Sequence, residues 1–152
     1  MSGRALLRPA ELADVPDLVA VQVAARAAAP MPPGIHPPAE ITAFLTGRLG
    51  REEMWVAESE GEVVGYARFT GTWLDDLYVH PARQGQGIGT ALLGLVKALR
   101  PEGFGLWVFE SNVPAQRFYA AHGFEVTERT DGAANEERAP DLRMEWPGTR
   151  LA

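Results

Sequence analysis

The chain has 152 residues, 46% of them apolar and 22% charged, with twenty acidic against fourteen basic side chains and a net charge of −6. That size suits one globular domain over residues 1–152, and an acidic surplus without a basic run excludes a nucleic-acid clamp, which relies on phosphate contacts. The absence of cysteine removes disulfides, thiolate zinc sites and a cysteine nucleophile together. His36, His80 and His122 show no close metal-ligand spacing, so no metal is expected. No apolar run reaches the roughly 18 residues that span a bilayer, and the N-terminus has no leader pattern. The expectation is a cytoplasmic chain without membrane contact, whose field favours cationic partners.

Residues 5–8 read as a short strand. Asp14 is placed to cap a helix over 14–29, with Pro16 tolerated in the first turn and Leu12, Val15, Leu18, Val19 and Val23 as its apolar face. Residues 30–38 hold five prolines and one glycine and must form a loop of constrained shape. A second helix follows over 39–49. Then the period changes. Residues 54–58 and 63–70 read as strands joined by the turn Ser59-Glu60-Gly61, and 73–79 as a third, closed by His80-Pro81. A helix over 87–100 carries Ile88, Leu92, Leu95, Val96 and Leu99 on one face; 104–109 is short, apolar and expected to be a buried strand. A helix over 113–122 ends at Gly123, and strands over 124–129 and 142–146 finish the chain. The fold class is α/β (α+β): one domain with a mixed, mostly antiparallel central sheet flanked by helices.

Between the third strand and its helix lies Arg83-Gln84-Gly85-Gln86-Gly87-Ile88-Gly89-Thr90. Glycines here let the backbone approach a ligand with its N–H groups turned toward it, and the helix N-terminus adds free donors and a positive dipole end. This is an anion site suited to phosphate or pyrophosphate. A Walker loop needs a lysine after its last glycine, and Thr90 stands there instead. The dinucleotide fingerprint needs a third glycine at Thr90 and normally opens a βαβ unit, whereas an antiparallel meander precedes this loop.

The string Gln84 to Gly89 resembles the Q/R-x-x-G-x-G/A coenzyme A loop of the GNAT superfamily of N-acetyltransferases. Leu77-Tyr78-Val79-His80-Pro81 is similar to the strand end that leads into it. Asn112-Val113-Pro114-Ala115-Gln116-Arg117-Phe118-Tyr119, continuing to Gly123-Phe124, is similar to that family's N-x-x-A-x-x-F-Y-x-x-x-G-F segment. The element order agrees over residues 5–130 and the motifs over 77–124. The resemblance implies acetyl-CoA as co-substrate, bound by Leu77, Tyr78, Val79, Gln84, Gly85, Gln86, Gly87, Ile88, Gly89, Thr90, Asn112 and Tyr119. Asn112 also stands where a helix N-cap belongs, and Phe118 and Phe124 read as core.

Without cysteine there is no acetyl-cysteine intermediate, so the simplest chemistry is direct attack of an amine on the thioester in a ternary complex. By resemblance, backbone N–H groups over 77–79 polarise the carbonyl where the sheet splays, and Tyr119 is the general acid beside the sulfur. For the base, strand alternation sends Asp75 and Asp76 to opposite faces. Asp75 is favoured because Leu77 and Val79 share its face; a β-bulge, common on this strand in the family, would exchange the two.

The resemblance builds the acceptor pocket from loops 31–38 and 131–140, with Glu136, Glu137 and Asp141 as candidate cation contacts and His36 as an exposed loop residue. A small amine, an amino acid, an aminoglycoside-like compound and a protein N-terminus all fit, with a small-molecule amine preferred because the proline-rich loop encloses the site. The alternative from another class is a non-catalytic acetyl-CoA sensor or partner-binding module. A homodimer is compatible with the sequence.

Overall fold

The computed structural model describes residues 5–149. In chain order the elements are β1 (Leu6–Pro9), α1 (Val15–Ala28), α2 (Pro38–Arg48), β2 (Glu53–Ser59), β3 (Glu62–Thr70), β4 (Trp73–Val79), α3 (Ile88–Leu99), β5 (Phe104–Phe109), α4 (Val113–Ala121), β6 (Glu125–Thr130) and β7 (Asp141–Trp146). The strands form one sheet in the order β1-β2-β3-β4-β5-β7-β6. Every neighbouring pair is antiparallel except β4 and β5. These elements lie within one or two residues of those expected from the sequence. Asp14 does precede α1, but its side chain makes no capping bond to that helix. Its carboxylate is held instead by the Arg8 guanidinium at 2.8 and 2.9 Å and by the Glu11 N–H at 2.7 Å, which ties β1 to the start of α1.

Alternation along the central strands fills both faces of the sheet. Val15, Leu18 and Val19 of α1 and Leu45 of α2 pack on Met54, Val56 and Tyr66. On the other face, Leu92, Leu93 and Val96 of α3 meet Ala57, Ala67, Leu106, Val108, Phe124, Leu142 and Met144. Phe124 is buried and Phe118 packs against the same core. Burying each such leucine contributes about 1.5–3 kcal/mol, which fixes the sheet as a rigid base for the loops at its edge.

Two departures from the sequence reading shape the site. Arg68 pairs with Asp76 but Phe69 pairs with Leu74, so Asp75 is the extra residue of a β-bulge. Strict alternation therefore fails. Leu77 and Val79 pack toward α3, Tyr78 toward α1, and both aspartates lie within reach of Arg68 on the α1 side. The second departure is β5, expected to be buried throughout: Trp107 is 46% exposed. α1 and α2 pack against β2, β3 and Tyr78 of β4 and do not extend over β5.

Candidate active site

The parallel pair β4–β5 is joined at Trp73–Gly105 alone, after which the strands diverge. The His80 N–H donates to Val64 O at 2.8 Å, directed at β3. Alternation then turns the N–H groups of Leu77 and Val79 the opposite way, into the gap. This splay leaves strand donors with no ladder partner at the middle of the sheet, and a developing oxyanion is what such donors suit.

Two cavities meet at this gap. One, of about 560 Å³, runs from Leu77, Tyr78 and Val79 along Arg83, Gln84, Gly85, Gly87, Ile88, Gly89 and Thr90, with Asn112, Phe118 and Tyr119 opposite. Gln86 does not line it; every other residue expected to hold the coenzyme does. Gly85 and Gly87 have φ of +80° and +82°, a conformation that carries little cost only for glycine. It lets the chain turn sharply into α3, whose first internal bond is Ala91 N–H to Gly87 O at 3.0 Å. The N–H groups of Ile88, Gly89 and Thr90 thus lie before the first helical bond, and no side chain caps them. The Gln84 amide donates to Val79 O at 3.2 Å, anchoring the loop to the strand end. No carboxylate lines this cavity, and its one charged group is Arg83, which is 3.7 and 3.8 Å from the exposed Glu60 and Glu62. Free helix-end donors, a loose arginine and the lack of acids fit a pyrophosphate.

The other cavity, of about 1090 Å³, is lined by Asp75, Asp76, Glu136, Glu137 and Asp141 against Arg26 and His36. Met31, Leu77, Tyr78, Asn112, Ala115 and Tyr119 border both cavities. The proline-rich loop and the β6–β7 loop form its roof: His36 bonds Glu40 at 2.9 Å and Glu136 at 2.8 Å, and Arg26 reaches Glu137 at 3.5 Å. Five carboxylates in one lining favour a cation there.

Environment separates the two aspartates. Asp76 accepts from Arg68 at 2.8 Å and from the Tyr66 hydroxyl at 3.2 Å, so its charge is already matched. Asp75 accepts from Thr70 at 2.8 Å and lies 3.9 Å from Arg68. Burial holds the Asp75 carboxyl above its usual range, against the pull of Thr70 and Arg68. Asp75, raised by burial and without a close cationic partner, is therefore the less committed of the two carboxylates.

Asn112 caps α4 by accepting the Ala115 N–H at 3.3 Å, which sets the start of the helix that carries Tyr119. The Tyr119 ring is fixed edge-on between Phe118 at 5.2 Å and Phe124 at 5.4 Å. Burial first, then the charges of Tyr78 and Asp76, push its hydroxyl well above the ordinary phenol value. It stays protonated across the working pH range, a donor facing the junction of the cavities.

Arg26, Gln22, Arg68 and Trp107 escaped the sequence reading, and Arg83 was read only as the residue that opens the glycine stretch. Gln22 and Arg26 stand four apart on α1, and that polar pair beside an apolar face was the available signal. Arg68 had none, since its role depends on the bulge opposite it.

No helix among the described residues is long and apolar enough to cross a membrane, and no cluster of three or more His, Asp or Glu among them could hold a metal ion. A family model described as "Acetyltransferase (GNAT) domain" matches residues 50–126. The chain is 36% identical over 110 residues to the peptidyl-lysine N-acetyltransferase YjaB of Salmonella typhimurium, covering 72% of this chain and 75% of that one. Among solved structures, apo YjaB of Escherichia coli superposes with a TM-score of 0.76 at 25% identity, over 95% of this chain and 99% of its own. The acetyltransferase yncA of Salmonella typhimurium, solved with acetyl-CoA, gives 0.74 at 25% identity, over 99% and 97%.

Proposed function

Because the chain belongs to the GNAT superfamily of acetyl-CoA-dependent N-acetyltransferases, we propose that this acetyltransferase moves the acetyl group to the primary amine of a small molecule, by direct attack in a ternary complex. The observation that carries this reading is the charge division across one junction: no acid in the lining of the glycine-loop cavity, and five carboxylates against Arg26 and His36 in the lining beyond Tyr119. An anionic coenzyme and a cationic amine would each be drawn to their own side, and their reacting atoms would meet at the splay.

In the proposed scheme Asp75 takes a proton from the ammonium, directly or through water, and the amine nitrogen attacks the thioester carbonyl carbon. The N–H groups of Leu77 and Val79 receive the charge that grows on the carbonyl oxygen. As the C–S bond breaks, Tyr119 donates its proton to the departing sulfur. The surplus proton on the newly bonded nitrogen passes through solvent to the Tyr119 phenolate, leaving a neutral amide and a free thiol. The burial that raises the Tyr119 hydroxyl also disfavours a bare thiolate in the same place, which keeps the transfer matched. Arg68 and Tyr66 hold Asp76 and, through the bulge, set the position of Asp75.

The name of the Salmonella relative favours a second acceptor, a lysine side chain of a protein. Against it stands the roof made by the His36–Glu136 and Arg26–Glu137 contacts, which narrows the approach for a folded surface. Thiol release from acetyl-CoA, followed with small primary amines, amino acids and lysine-containing peptides at equal amine concentration, tests the choice. Turnover with small amines is expected. Turnover with peptides alone would move the acceptor to protein lysines, and no release with any amine would sink the reading.

A further inference from the structure

Beyond its last paired residues, Trp73 and Gly105, the splay sets Asp75 and Trp107 each two positions further along their strands. Both line the acceptor-side cavity. Trp107 is unlike its neighbours on β5, since Leu106 and Val108 are sealed in the core while nearly half of the indole is exposed. Its partner explains how it is held. A Cβ on Gly105 would come within 3.0 Å of the Trp73 ring. Glycine at that position thus lets Trp73 lie low over β5 and stack on Trp107, with centroids 6.3 Å apart and planes 13° from parallel. Arg143, paired with Trp107 across β5–β7, packs over the Trp73 ring at 4.9 Å. One side of the indole is thus braced by a stack, and its remaining surface borders the cavity.

Resting on the acetyl-transfer reading above, we propose that the open surface of Trp107 is an acceptor subsite for the apolar body of the amine, across the gap from Asp75. The ammonium end goes to the carboxylates. The hydrocarbon attached to it must then lie against whatever apolar surface is within a few bond lengths, and Trp107 offers it. An indole suits alkyl and aryl groups through its area and tolerates a nearby positive charge on its face. Because the ring is pre-stacked, little side-chain entropy is lost when an acceptor covers it.

Ethylamine, butylamine and phenethylamine form the test series, assayed by thiol release with wild type, Trp107→Ala and Trp107→Phe. Wild type is expected to prefer the two larger amines. In Trp107→Ala the KM for phenethylamine should rise about tenfold, the scale of a few lost hydrocarbon contacts, while ethylamine changes little. Trp107→Phe should retain most of the preference, and the KM for acetyl-CoA should stay constant in both variants. A Trp107→Ala enzyme that ranks the series as wild type does would overturn the subsite. If wild type releases no thiol with any amine, the transfer reading fails separately. Calorimetric titration of phenethylamine in the presence of coenzyme A then decides: binding weakened in Trp107→Ala upholds the subsite, and equal or undetectable binding overturns it.

Discussion

The two cavities that meet at Tyr119 are built by different means. The glycine-loop side takes its polarity from the backbone: one contiguous stretch, two left-handed glycines and the open end of α3. The acceptor side takes its polarity from side chains on α1, two loops and strands β4, β5 and β7. A backbone site is written in a few adjacent residues, because positive φ and a helix start are local properties. A side-chain site exists only after the chain has folded. A site of the first kind suits an anionic group such as a pyrophosphate whatever is attached to it, while one of the second kind can be reshaped one side chain at a time.

The largest expected effect tests whether the junction between the two sides is the reacting centre. Tyr119→Phe removes one hydroxyl and keeps the ring against Phe118 and Phe124. If the proton is donated there, kcat should fall by about 100-fold or more, the usual size of acid catalysis, with acetyl-CoA affinity little changed. An unaltered kcat would make Tyr119 only a wall between the cavities.

Next in size is the acceptor side itself. Burial raises Asp75, so it becomes a carboxylate only as pH climbs past the usual carboxylate range, and kcat/KM should rise through that window. In Asp75→Asn that limb should vanish, leaving a rise that follows the amine's own ionisation. At neutral pH the loss should be about tenfold to a hundredfold, below the full range of base catalysis because some free amine is always present. A raised KM with an unchanged pH profile would make Asp75 an ammonium anchor instead. Asp76→Asn should act differently: it strips a partner from Arg68 and the Tyr66 hydroxyl and should lower the melting temperature more than it reshapes the pH profile. The reverse ranking would place the base at Asp76, the aspartate whose charge is felt by Tyr119.

The order of strands and helices could be read from apolar periodicity, and the left-handed turn into α3 from its glycines, because both depend on near neighbours in the chain. Asp75 and Asp76 show where such reading stops. Counting by twos assumes an unbroken ladder, and one inserted residue turns both carboxylates to the same side. Trp107 shows a second limit. An apolar run looks alike whether a helix covers it or a splay exposes it, and the extent of α1 and α2 decides which. Arg26 reaches Glu137 from a helix more than a hundred residues earlier, a pairing that no local pattern encodes.

On the glycine side, Gly87→Val probes the loop directly. Gly87 has φ +82° and no atom within 4 Å of an added Cβ, so valine meets no clash but cannot comfortably adopt the backbone. The loop should rearrange and turn its donors away. Acetyl-CoA affinity measured by calorimetry should fall about tenfold or more, the worth of one charge-assisted hydrogen bond. Unchanged affinity would remove the pyrophosphate from this loop.

The smallest effect comes from another glycine on the same helix. Gly94 lies in the interior of α3, exposed, with nothing within 4 Å of an added Cβ and no positive φ. It borders neither cavity. Nothing in the described structure requires glycine there, so its main consequence is the extra backbone entropy of the unfolded chain. Gly94→Ala should therefore raise stability by about 0.5–1 kcal/mol, read as a higher urea midpoint at constant slope, with kcat and both KM values unchanged. Set beside Gly87→Val, it separates a glycine whose φ shapes a binding loop from one that merely weakens a helix. If Gly94→Ala instead lowered activity or coenzyme affinity, the functional reach of α3 would extend two turns beyond its N-terminus, and the backbone site would be larger than the loop that announces it.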